Sequence, residues 1–173
     1  MAPDNEILPV VDIDGNVIGS ATRNECHGGT MILHPVVHLH VLDAAGGLLM
    51  QKRSETKIIQ PGKWDTAVGG HIDYGECVEN ALQREASEEI GLTDFKAEEM
   101  ARYVMESSVE RELVYSHICT VSSDFTPEPE AGECDALRFW KRNEIEAALG
   151  TGVFTPNFEM EYQMLRKYLD DMR

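Results

Sequence analysis

Carboxylates crowd the segment Gly70-His-Ile-Asp-Tyr-Gly-Glu76-Cys-Val-Glu-Asn-Ala-Leu-Gln-Arg84-Glu85-Ala-Ser-Glu88-Glu89-Ile-Gly91-Leu92, and the crowding makes little structural sense without a divalent cation. Neither Gly nor Pro interrupts Val78 to Ile90, and Val78, Leu82, Ala86 and Ile90 recur at i+4, which predicts a helix over about 77 to 90. Successive residues turn by about 100°, so Glu85, Glu88 and Glu89 share one face beside the apolar stripe. Like charges at i,i+3 and i,i+4 repel, and here they lie away from the positive end of the helix dipole. A bound Mg²⁺ or Mn²⁺ removes the penalty, because hard cations take carboxylate and phosphate oxygens as ligands. A solvated acidic face is the ordinary use of such a pattern, and the flanking residues decide against it.

The segment fits G-x5-E-x7-R-E-U-x-E-E-x-G-U, where U is apolar, with Ala86 and Leu92 at the U positions. It resembles the signature of the Nudix hydrolase family and is far more specific than a lone G-x-G-x-x-G. The resemblance implies that Glu85, Glu88 and Glu89 hold metal or activate water and that the Gly70 carbonyl is a further ligand. It also implies that Arg84 orients the glutamates through charge-assisted hydrogen bonds. Glu85 is taken as the general base. A metal that neutralises charge on phosphate oxygens, together with a carboxylate that activates water, suits hydrolysis of a diphosphate linkage. Gly75 and Gly91 read as a turn before the helix and a C-cap after it.

The surrounding chain, over roughly residues 6 to 120, resembles one branch of that superfamily, the isopentenyl diphosphate isomerases and the hydrolases most similar to them. The markers are the run Val10-Val11-Asp12-Ile13-Asp14-Gly15-Asn16-Val17-Ile18-Gly19, then Arg23, Cys26-His27, His34, Arg53 with Lys57, Pro61-Gly62-Lys63-Trp64, Gly70-His71 and Glu110-Arg111-Glu112. The resemblance implies a second metal site of His27, His34, His71, Glu110 and Glu112. Imidazole ligands suit Zn²⁺, Mn²⁺ or Fe²⁺ better than Mg²⁺. His34, His38 and His40 alternate on one strand face, so His38 or His40 is an alternative ligand. Arg53 and Lys57 stand where the isomerases grip the substrate diphosphate. The isomerases carry a catalytic Cys immediately before the Gly-His pair, and that position here is Gly69, which has no proton to give. Their acidic signature is also usually eroded, whereas this one is intact. Both differences favour hydrolysis over isomerisation, and a small-molecule, nucleoside diphosphate-like substrate is the expectation, with nucleoside triphosphates, nucleotide sugars, dinucleotides, coenzymes and isoprenoid diphosphates left open by the sequence. The alternatives are an isomerase-type activity and a non-catalytic, nucleotide-sensing Nudix domain.

With 173 residues, 42% of them hydrophobic, residues 1–173 are expected to form one domain, with residues 1–30 as a hairpin extension for which a homodimer contact is one use. A formal charge of −16 without a basic run argues against polymeric nucleic acid as a partner. A small anionic substrate must then be held by metal and by Arg53, Lys57, Arg84 or Arg111. No apolar run approaches the roughly 18 residues of a membrane span, and the opening Met-Ala-Pro-Asp-Asn-Glu lacks the features of a signal peptide. A cytoplasmic protein is the expectation. Four cysteines without C-x-x-C spacing suggest reduced thiols, with Cys26 a small buried residue.

Hairpins are expected over 8–13 and 16–22 around Asp14-Gly15, and over 34–42 and 47–53 around Gly46-Gly47. Residues 54–63 read as a loop presenting Lys57 near the site, followed by the acidic helix and by strands near 96–105, 110–121 and 135–141. Asn143 with Glu146 reads as a capping box for a short helix, and Thr155-Pro156 opens a terminal helix with an apolar stripe of Phe158, Tyr162, Leu165 and Leu169. This order supports a mixed sheet between helices, the α/β/α sandwich of the Nudix fold, with an N-terminal β-hairpin.

Overall fold

The computed structural model describes residues 5–129 and 131–173. The chain order is β1 (Ile7–Val11), β2 (Val17–Thr22), α1 (Arg23–His27), β3 (Leu33–Leu42), β4 (Leu48–Arg53), β5 (Trp64–Thr66), β6 (Val68–His71), α2 (Val78–Ile90), β7 (Glu98–Glu106), β8 (Arg111–Thr120), β9 (Cys134–Trp140), α3 (Arg142–Ala148) and α4 (Pro156–Asp171). Mixed sheet, flanking helices and N-terminal hairpin are those of the α/β/α sandwich.

The period of two along β3 divides the molecule. Val37, Leu39 and Val41 pack with Leu82, Ala86 and Ile90 of α2, while Leu48, Met50 and Ile118 pack with Phe158, Tyr162 and Leu165 of α4 and Ile145 of α3. The alternate residues of β3, His34, His38 and His40, are buried on the face away from α2. β3 pairs in parallel with β8 from Leu33↔Arg111 to Leu42↔Thr120, and on its other edge antiparallel with β6 from Val36↔His71 to Leu39↔Val68.

Those two neighbours explain a difference from the expected second hairpin. β3 and β4 turn around Gly46-Gly47 but pair only at Leu42↔Leu48. A strand has two hydrogen-bonding edges, and both edges of β3 are taken. β4 instead pairs antiparallel with β5 and β9. The expected cap of α3 also moves: Glu144, not Glu146, accepts the Lys141 N–H at 2.7 Å, so the helix begins one residue before Asn143. Glu146 turns outward to Arg142 Nε at 2.9 Å. α2 starts and stops as its sequence predicts, and Gly91 takes the left-handed conformation at its end (φ 71°) with its N–H on the Ser87 carbonyl.

β1 and β2 form a separate two-stranded sheet. It is held down by Leu8 and Ala21 around the buried Cys26 and by Val11 against Leu33 and Leu113. All four cysteines are free. Among the described residues no helix is long and apolar enough to cross a membrane.

Candidate active site

A cavity of about 730 Å³ opens beside β6, lined among others by Arg53, Gly69, Gly70, His71, Glu110 and Glu112. α2 presents its carboxylates at the edge of this strand. The Glu85 carboxylate lies against Gly70, where any Cβ would collide with it, so glycine is what admits the contact. Arg84 Nη1 donates to Glu85 Oε1 at 2.7 Å, Nη2 to the His71 carbonyl at 3.0 Å, and Nε to Glu76 Oε1 at 3.0 Å. Glu88 is the exposed member, 3.7 Å from Arg84 Nη1. Glu89 accepts from Gln51 Nε2 at 2.7 Å and from the Gly69 N–H at 3.3 Å. Burial pushes the Glu89 carboxyl up to about 8 against these hydrogen bonds, and burial also raises Glu85 although Arg84 opposes it. Two acidic groups are thus driven toward their neutral forms where a cation would keep both ionised.

A second cluster lies beyond His71. Thr22 and Glu25 form a capping box, with Glu25 Oε2 accepting the Thr22 N–H at 2.7 Å, and the single turn of α1 swings His27 inward. The pattern Thr-x-x-Glu carried that signal in the sequence. His27 Nε2 stands 2.9 Å from His71 Nε2, and its Nδ1 meets Glu110. His34 Nε2 is buried without a hydrogen-bond partner among the described residues, 3.8 Å from Glu112 Oε1. Ligand atoms of His27, His34 and His71, and likewise of His34, Glu110 and Glu112, lie within 4.8 Å of one another. Burial lowers His34 and lowers His71 well below the usual histidine range, which favours neutral rings with one lone-pair nitrogen each; His34 Nδ1 donates to the Ile32 carbonyl at 3.0 Å, so its lone pair is on Nε2. Glu112 is raised to about 7 by burial and by Glu110.

The structure brings Arg53 to the cavity, where it donates from Nε to the Ile59 carbonyl at 3.1 Å and lies 3.6 Å from Asp65. Lys57 is absent from the lining; its Nζ pairs with Glu133 Oε2 at 3.4 Å. The loop presents Ile59 and Gln60 instead. Arg111 pairs with Glu106 at 3.2 Å. His38 and His40 do not join the histidine cluster. Both turn to Glu161 of α4, at 2.6 and 2.9 Å.

Glu161 is the residue that sequence reasoning missed. It is fully buried inside the apolar stripe of α4 and also accepts from Tyr103 Oη at 2.8 Å and from Ser116 Oγ. Its one signal was a carboxylate where Phe158, Tyr162 and Leu165 mark a core-facing helix side.

The NUDIX domain profile matches residues 32–158, and the chain belongs to the Nudix family. With its Nudix hydrolase relatives, that membership makes it a hydrolase of pyrophosphate bonds. It is 30% identical over 169 residues to the Nudix hydrolase PA4841 of Pseudomonas aeruginosa, covering 98% of this chain and 96% of the relative. It is 28% identical over 170 residues to the isopentenyl-diphosphate Delta-isomerase of Agromyces mediolanus, covering 95% of this chain and 82% of the relative. Among solved structures, DR0079 from Deinococcus radiodurans superposes with a TM-score of 0.72 at 22% identity, covering 87% of this chain and 92% of that one.

Proposed function

We propose that the protein hydrolyses a diphosphate linkage in a small-molecule, nucleoside diphosphate-like substrate with Mg²⁺ or Mn²⁺ held by Glu85, Glu88, Glu89 and the Gly70 carbonyl. The observation that carries this reading is the pair of desolvated carboxyls, Glu85 and Glu89, meeting the bare glycine backbone of β6. The bound cation supplies charge neutralisation at phosphate oxygens and a lowered water pKa. Glu85 takes the proton of the attacking water, and Arg84 fixes its carboxylate. Arg53 at the cavity wall meets the anionic end of the substrate. His27, His34, His71, Glu110 and Glu112 hold a second, transition-metal ion, the use that fits a buried, unpartnered His34 Nε2 among lone-pair nitrogens. The isomerase alternative lacks an acid at Gly69.

A panel of nucleoside diphosphates and triphosphates, nucleotide sugars, dinucleotides, coenzymes and isopentenyl diphosphate, assayed by phosphatase-coupled phosphate release and phosphorus NMR, tests the reading. Hydrolysis of at least one member is expected, and Glu88→Gln or Glu89→Gln lowers turnover at least about 10²-fold. Near-normal rates in both variants at saturating Mg²⁺ would sink the assignment. Conversion of isopentenyl diphosphate to its isomer without phosphate release would replace it with the isomerase reading.

A further inference from the structure

His38 lines the cavity but belongs to neither metal cluster. Its Nδ1 is 2.6 Å from Glu161 Oε2, and an ionised carboxylate only accepts, so that nitrogen carries a proton directed away from the cavity. The opposite edge of the ring lies over Gly69: a Cβ there would sit 3.3 Å from Cδ2 and 3.6 Å from Nε2. His38 Nε2 has no hydrogen-bond partner among the described residues.

Of the other cationic side chains of the cavity, Arg23 pairs with Glu6 at 3.1 Å, and Arg53, 3.6 Å from Asp65, meets one end of the substrate only. Charged and titratable groups face His38 from several sides: Glu161 from α4, Glu112 from β8, Asp65 from β5, with Tyr103 of β7 bonded to the same Glu161 carboxylate. Burial of the imidazole opposes its charge, but the Glu161 carboxylate outweighs burial and raises His38 to about 9. Glu161 itself, despite burial, is held well below the usual carboxylate range by His38 and His40. Keeping an ion in the core costs several kcal/mol before partners repay it, and apolar replacements are often as stable. The arrangement makes sense if the charge it holds on His38 is used.

We propose that His38 is a substrate-positioning residue, donating from Nε2 to a phosphate oxygen of a diphosphate that straddles the bare Gly69–Gly70 edge of β6. The two glycines point to opposite faces of that strand. Glu85 meets one and His38 the other, so a diphosphate laid across the edge reaches the carboxylate helix on one side and the imidazolium on the other. This assignment rests on the hydrolase reading and adds the group that recognises the second phosphate.

His38→Asn tests it, because the asparagine amide reaches the place of Nδ1 and can still serve Glu161 while the donor into the cavity is lost. KM for whichever panel member is hydrolysed, and the dissociation constant of methylenediphosphonate with Mg²⁺ by calorimetry at pH 7, both rise about 10-fold or more, as loss of a charge-assisted hydrogen bond predicts. kcat changes less than KM. His38→Gln, with a neutral amide near the place of Nε2, recovers part of the loss, and Glu161→Gln weakens binding in the same direction. Circular dichroism establishes that each variant is folded, and the folded variants decide if His38→Asn is not. Unchanged KM and dissociation constant in folded variants, or no binding of the probe by the wild type, overturn the assignment. Turnover with unchanged KM overturns the role of His38 and leaves the hydrolase standing. His38-dependent binding by a wild type that hydrolyses nothing in the panel does the reverse.

Discussion

At Gly70 the absence of one methyl group decides whether the Glu85 carboxylate can reach the strand. Gly70→Ala is expected to lower Mn²⁺ affinity about 10- to 100-fold, the effect typical of disturbing the support of a metal ligand, with the fold retained. Titration followed by electron paramagnetic resonance measures the affinity, and an unchanged value would remove Gly70 and Glu85 from the metal site. That Glu85, Glu88 and Glu89 share a face was legible in the sequence because one helix carries all three and its period places them without knowledge of the rest of the chain, whereas Arg84 was singled out by the resemblance to the Nudix signature. Glu161 was not. Its partners are on three different strands, and His38 is 123 residues away in the chain. A local pattern shows that His34, His38 and His40 share a face, but it cannot say that the first turns to His27 and His71 while the other two turn to α4.

Among the elements, the helices were more readable than the pairing of the strands. α2 and α4 announce themselves by apolar period and end signals, Gly91 for one and Thr155 with Pro156 for the other. β3 and β4 look like a hairpin from turn residues alone, yet strand pairing is a contest between edges, and β6 and β8 win the edges of β3. The β1–β2 hairpin has a role that its sequence left open: with α1 it delivers His27 and Arg23 to the cavity wall. If the histidine cluster holds a metal, the ion joins α1 to β3, β6 and β8. Protein purified without chelator is then expected to carry about one transition-metal ion per chain, because binding energy at such a site is also folding energy. Stripping it should speed amide exchange in Ile7–His27 more than in α2. Elemental analysis and hydrogen-exchange mass spectrometry check both statements, and equal exchange with and without metal would separate the hairpin from the site.

Across the whole molecule, the buried His38–Glu161 pair makes stability depend on pH in a defined direction. His38 rises from an ordinary 6.5 to about 9 on folding, so its contribution is complete below 6.5 and is lost as pH climbs through 9. Glu161 falls below its ordinary 4.5, so its contribution is present above 4.5 and is lost as pH drops further. The urea midpoint is therefore expected to decline between pH 6.5 and 9 in the wild type, and to decline less in His38→Asn. Parallel declines in the two proteins would show that the pair does not set the slope. The same separation along the chain also orders the site in time. Gly70 and the carboxylates of α2 are close neighbours in sequence, whereas Glu161 is on the last helix. Under the proposed function, the residues that would hold the cation leave the ribosome before the carboxylate that charges His38, so the group that would meet the anion is completed only when α4 docks.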